Sequence, residues 1–124
     1  MATNWRAMCA SKGLKVQGEE VQVSFDNGRS HRVRIVEQPN SIEIHAIVAR
    51  AAAIRDVPDL EVRIWRHNRA AQLVSFRLDN RRRLAAQGWV PKAGLTAEEL
   101  QLVVHRVAAE SDRLEFILTG KDVE

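Results

Sequence analysis

The segment from Gly88 to Gly120 constrains this chain most, because a strand, a turn and a helix with both ends marked follow one another without a gap. The strand closes on Gly88-Trp89-Val90-Pro91, and Thr96-Ala97-Glu98-Glu99 then reads as a capping box. There the Thr96 hydroxyl accepts from the Glu99 amide while the Glu99 carboxylate accepts from the Thr96 amide. Leu95 and Leu100 flank the cap as a hydrophobic staple. Leu100, Val103, Val104, Val107, Ala108, Leu114, Ile117 and Leu118 recur at helical spacing, which predicts a helix over 97–118 with one apolar face. Gly120 stops it, since glycine enters the left-handed region without a Cβ penalty. Such a helix must bury its stripe, and the strand before it supplies the partner layer.

The rest of the chain fills in that layer. A short first helix is expected over 4–12, capped by Thr3, with Trp5, Met8 and Cys9 on one side and Gly13 at its end. Residues 20–25 alternate, with Val21, Val23 and Phe25 on one face. Asp26-Asn27-Gly28 is a hairpin turn leading to a strand over 29–36, where Val33 and Ile35 face opposite to Arg32 and Arg34. After Pro39-Asn40 a third strand over 41–49 carries Ile42, Ile44, Ala46 and Val48 inward. A second helix is expected over 57–70, because proline and an acid suit its first turn, and Ala51-Ala52-Ala53 before it fits strand end or helix start equally. Two more strands, 72–79 and 83–90, are joined at Asp79-Asn80-Arg81-Arg82. Short hairpins make neighbouring strands antiparallel. The expectation is an α+β fold: a twisted antiparallel five-stranded sheet in the order α-β-β-β-α-β-β-α, flanked by helices, with the first and third helices on one face. Residues 1–124 are expected to form a single domain, with 121–124 as a fraying tail.

Composition excludes several classes. Hydrophobic content of 45% and charged content of 28% are those of an ordinary globular domain. No run approaches the roughly 20 apolar residues that span a bilayer, so no membrane partner is expected. The opening Met1–Arg6 lacks a basic and then apolar pattern, and a lone cysteine rules out an internal disulfide, so the expected compartment is the cytoplasm. The pI near 9.6 rests on a net charge of only +3, which is compatible with nucleic acid without arguing for it.

Catalytic chemistry finds little to stand on. His31, His45, His67 and His105 lie on four different elements, and pairing Val33 and Ile35 with Ile42 and Ile44 sends His31 inward and His45 outward. No HExxH, CxxC, GxSxG, Walker or GxGxxG motif occurs, so no metal site, no cofactor and no enzymatic activity are expected. Cys9 as a nucleophile needs a base beside it, whereas as a core residue it needs only to face inward with Trp5 and Met8. Arg63, Arg66 and Arg69 on the second helix, with Arg81-Arg82-Arg83 in the turn, form either a phosphate-binding patch or a solvated helix face and turn tip. Asp56, Asp59, Glu61 and Asp79 lie close by and blunt their field, so the balance goes against nucleic acid.

One packing feature points outward. With Val74, Phe76 and Leu78 facing the core, Val74 falls opposite Gly88 and Leu78 opposite Leu84. The other face then pairs Arg77 with Ala85, Ser75 with Gln87, and Leu73 with Trp89. A Leu-Trp pair on a polar sheet face asks for a cover. Trp65 of the second helix, a second subunit or an apolar peptide would each serve, Trp being enriched at interface hot spots.

The runs Trp89-Val90-Pro91-Lys92-Ala93-Gly94-Leu95-Thr96, Val107-Ala108-Ala109-Glu110-Ser111-Asp112-Arg113-Leu114-Glu115 and Leu118-Thr119-Gly120-Lys121-Asp122 resemble the YbjN-related proteins of bacteria. Those are similar in fold to the small CesT-type chaperones of type III secretion. The resemblance implies a twisted sheet flanked by helices, often homodimeric, without cofactor or catalytic residues, that holds an extended client segment against apolar grooves. Secretion chaperones are typically acidic, and this chain departs from them there. The expected function is a non-enzymatic, chaperone-like protein that binds a protein or peptide client, with Trp5, Met8, Leu73 and Trp89 as contact residues. The alternative is a binder of nucleic acid or an anionic surface through Arg63, Arg66, Arg69 and Arg81–Arg83.

Overall fold

The structure, a computed structural model, describes residues 4–120. Thr3, expected to cap the first helix, and 121–124, expected to fray, lie outside the described residues. The elements are α1 (Trp5–Met8), β1 (Leu14–Gln17), β2 (Glu20–Ser24), β3 (Ser30–Glu37), β4 (Ser41–Ala49), α2 (Ala51–Ile54), α3 (Leu60–Ala70), β5 (Ser75–Leu78), β6 (Leu84–Pro91) and α4 (Ala97–Thr119). All neighbouring strands pair antiparallel, in the spatial order β1-β2-β3-β4-β6-β5.

The α+β class stands, but the sheet has six strands and not five. The extra one is β1, a four-residue strand whose half-buried Leu14 and Val16 alternate with Lys15 and Gln17 too briefly to stand out in sequence. It pairs with β2 through a two-residue loop, in which Gly18 takes the positive φ of 62° that primed hairpin turns require. The first helix is correspondingly shorter than 4–12. Asn4 caps it by accepting from the Ala7 amide at 3.3 Å, and the chain then turns through Ser11 to enter β1.

The second expected helix starts late, and Ala51-Ala52-Ala53 before it takes the helical of its two readings. Ala51-Ala52-Ala53 forms one helical turn that buries Ile54, and α3 begins at Leu60 rather than 57 because Asp59 sits left-handed at φ 53°. The β5 ladder also ends early, at Ser75↔Gln87. Leu73 lies outside it at φ 68°, so the expected Leu73–Trp89 ladder pair does not form. Its carbonyl oxygen instead occupies the space above Gly88, 2.9 Å from where a Cβ would stand.

α4 covers one face of the sheet, and α1 packs against α4. Val21, Val23, Ile35, Ile44 and Leu84 meet Leu100, Val104 and Val107 of α4, all essentially without solvent exposure. Both ends of α4 are closed: Thr96 Oγ1 accepts from the Glu99 amide at 3.2 Å, and the Gly120 amide donates to Phe116 O at 2.8 Å from a left-handed cap, while the expected return bond from the Thr96 amide to the Glu99 carboxylate is not formed among the described residues. The opposite sheet face carries none of the described helices. α3 stands instead at the sheet edge, where the Asn68 amide donates to Phe76 O at 2.8 Å and its Oδ1 accepts from Phe76 N at 2.7 Å. One side chain thereby plays the part of a further strand and closes the outer edge of β5.

Candidate functional site

Alternation along the strands divides the sheet into a dry face and an open one. Val33, Ile35, Ile44 and Ala86 point to α4, so Arg32, Arg34, His45, Ile47, Arg77, Ala85 and Trp89 point away. Ladder register places Arg34 across from His45 and His45 across from Gln87, while Ile47 lies across from Ala85 and Ala85 from Arg77. A groove of about 430 Å³ runs over Val36, Ile47 and Ala85, bordered by Arg32, Arg34 and Arg77.

Two carboxylates on this face are already committed. Asp79 Oδ1 accepts from the amides of Arg81 and Arg83 at 2.9 Å each, and Oδ2 accepts from Arg83 Nε at 2.8 Å. Burial pushes the Asp79 carboxyl up, but the Arg83 and Arg81 hydrogen bonds outweigh it and hold the group below its ordinary range. Glu43 pairs with His45 at 2.8 Å. Arg34 reaches Glu19 only at 3.7 Å with both side chains well exposed, a contact of little energetic weight. Among the described residues, Arg32 and Arg77 have no ion-pair partner.

The four expected contact residues are not brought together. Trp5 is 4% exposed and belongs to the core, with the Arg6 guanidinium over its ring at 4.5 Å. Met8 is half-buried beside it, and its carbonyl accepts from Gln101 Nε2 at 2.6 Å, tying α1 to α4. Leu73 and Trp89 are 54% and 61% exposed, with Trp89 on the open face across from Glu43. Val62 and Trp65 also stand exposed, one helical turn apart on α3, and the Arg69 guanidinium lies 5.0 Å from the Trp65 ring centre. Sequence reading considered Trp65 only as a cover for Trp89, although α3 sits at the sheet edge. Arg63 is half-buried, Arg66 and Arg69 are exposed on α3, and Arg81 and Arg82 are exposed at the β5–β6 turn.

His31 and His45 fall on opposite sheet faces as their register demands. His31, 1% exposed, has company that a search for histidine pairs overlooks: its ligand atom and those of Asp112 and Glu115 on α4 lie within 4.8 Å of one another. Its Nε2 lies 3.0 Å from Ile47 O, which can only accept, so that nitrogen carries the proton. Arg29 Nη2 stands 3.0 Å from Asp112 Oδ2 and already brings a cation to the cluster. These residues are of metal-ligating type, but the guanidinium supplies charge where an ion would, and the arrangement ties β3 to α4. Cys9 is fully buried, and burial pushes its thiol up to about 11, which makes it a packing residue rather than a nucleophile. Burial lowers His67, helped by the charges of Arg113 and Arg63.

The architecture is that of solved chaperones. One chain of the heterodimeric ExoU–SpcU complex, from the type III secretion system of Pseudomonas aeruginosa, superposes with a TM-score of 0.61 at 13% identity, covering 94% of this chain and 97% of that one. The fold is type III secretion chaperone-like. The Yersinia pestis secretion chaperone SycH, solved with a fragment of YscM2, gives a TM-score of 0.53 at 9% identity over 93% of this chain and 99% of that one. The HopA1–SchA chaperone–effector complex gives 0.53 at 10% identity over 94% and 88%. No protein-family model and no curated protein sequence matches the chain. Among the described residues, no helix is long and apolar enough to cross a membrane.

Proposed function

We propose that this chain is a non-enzymatic, chaperone-like protein of the cytoplasm that holds a protein or peptide client and works as a homodimer. The observation that carries the proposal is a shared fold, over more than nine-tenths of this chain, with proteins solved as complexes with their partners. Large apolar side chains left in solvent support it, because folding alone does not call for an exposed Leu73, Trp65 and Trp89. Leu73, Trp89 and Met8 are the proposed client contacts, with Trp5 anchoring the helix that presents Met8. Val62 and Trp65 on α3 are the apolar surface offered to a second copy. The kinship with YbjN-related proteins drawn from Trp89–Asp122 belongs to the same proposal.

The test is crosslinking in the native host through a photoreactive residue at position 89, compared with Trp89→Ala. The expected result is one recurrent partner, lost in the alanine variant while circular dichroism stays unchanged. Retention of every specific partner by Trp89→Ala would remove that residue from the site. Light scattering checks the dimer, and Trp65→Ala is expected to shift it toward monomer.

A further inference from the structure

We propose that the open sheet face docks an acidic polypeptide segment, gripped between Arg32 and Arg34 on β3 and Arg77 on β5 across the apolar floor of Ile47 and Ala85. This rests on the client-binding reading above and names the chemistry of the client. The argument is one of charge and spacing. With Asp79 committed to Arg83 and Glu43 to His45, the groove retains three arginines, and the remaining carboxylate lining it is Glu20. β3 and β5 are separated by β4 and β6, so the two arginine walls stand about three strand spacings, or roughly 14 Å, apart. An extended segment crosses that distance in about four residues, which sets two carboxylates about four positions apart with small apolar residues between them. Arginine forks bind such carboxylates bidentately.

A carboxylate-bearing peptide fits this face better than nucleic acid. Glu20, across from Arg34, interrupts the basic surface, which penalises an unbroken row of phosphates, whereas a peptide can set a neutral residue over it. The floor of Val36, Ile47 and Ala85 offers apolar contact that phosphates and sugars do not use.

The experiment uses fluorescence anisotropy at low salt with three probes: a labelled peptide carrying Glu about every four residues among Leu and Ala, its Gln-for-Glu twin, and a single-stranded oligonucleotide of equal net charge. The variants are Arg32→Glu/Arg77→Glu and, as a control of equal charge change away from the groove, Arg55→Glu/Arg66→Glu; all four arginines are exposed. The Glu peptide is expected to bind most tightly, to weaken about tenfold or more in the first variant, and to change little in the control. Equal loss in both variants, or none, overturns the docking site. Tighter binding of the oligonucleotide, lost in the same variant, makes the face a nucleic-acid surface instead. Equal binding of the Gln twin leaves client holding intact and overturns only the acidic preference. If neither peptide binds while crosslinking at position 89 still captures a partner, this inference fails alone; if both experiments are blank, the client-binding reading falls with it.

Discussion

Gly88→Ala adds a single methyl group where β6 packs against Val103 and Val107 of α4. The new Cβ would stand 2.9 Å from Val107 Cγ2, 3.0 Å from Val103 Cγ1 and 2.9 Å from Leu73 O. Ordinary carbon contacts are about 3.5–4.0 Å, so the deficit is about half an ångström or more against each valine, and the Leu73 carbonyl closes the third side. Neither valine turns away readily, because β-branched side chains in a helix have one strongly preferred rotamer. Leu73 O is backbone, so its movement would carry the entry to β5 with it. Overpacking costs typically about 1–3 kcal/mol, and a three-sided clash belongs at the upper end. Restricting the unfolded chain returns about 0.4–1 kcal/mol, leaving a net loss near 2 kcal/mol. For a chain of this size that lowers Tm by roughly 8 °C. Urea unfolding followed by circular dichroism should show a reduced midpoint at unchanged slope. Val107→Ala in the same background should recover part of the loss, giving a coupling of about 1 kcal/mol. A loss below about 0.5 kcal/mol with no coupling would refute the claim that Gly88 sets the helix–sheet spacing.

Asn68→Ala removes both hydrogen bonds that close the β5 edge and should cost about 1–2 kcal/mol, with faster aggregation measured by light scattering at matched concentration. Asp112→Ala removes the ion pair with a partly buried Arg29 and should cost about 2–3 kcal/mol in urea unfolding, below the range of fully sealed pairs because Arg29 keeps some solvent contact. Cys9 should resist aromatic disulfide reagents at pH 8 until the protein unfolds. Burial lifts its folded pKa from the ordinary 9.0 to about 11, so stability holds below pH 9 and falls as pH rises toward about 11, which Cys9→Ser should flatten. Asp79 shows the opposite sign: its pKa is depressed, so its contribution is present above the ordinary carboxylate range and lost as pH falls through the folded value. Asp79→Asn should remove that acid-side dependence, as followed by thermal melts between about pH 2 and 6.

Much of the fold is legible because its signals are local. Thr96, Glu99 and Gly120 mark α4 within a few residues of the bonds they make. The Asn27-Gly28 and Asp79 turns likewise close on their own neighbours, through Asn27 Oδ1 to the Arg29 amide and Asp79 Oδ1 to the amides of Arg81 and Arg83. The readings that failed depended on distant partners or on a left-handed backbone at a non-glycine residue, as at Asp59 and Leu73. β1 is visible only once β2 is there to pair with it. The Leu73–Trp89 register extrapolated a ladder past the point where the Leu73 backbone turns left-handed. Asn68 gives no sequence sign that its amide will act as a strand.

The candidate site divides the same way. That Arg32 and Arg34 lie opposite Val33 and Ile35 follows from a side-chain period of two, and the sequence determines it unaided. That Arg77 joins them is a tertiary matter, decided when β6 inserts between β4 and β5 and sets the strands side by side. Arg29 and Asp112 likewise meet across 83 positions only because α4 packs over β3. Turns, caps and alternation are settled by energies exchanged between near neighbours. Strand order is settled by which arrangement buries the α4 stripe, and that sum runs over the whole chain.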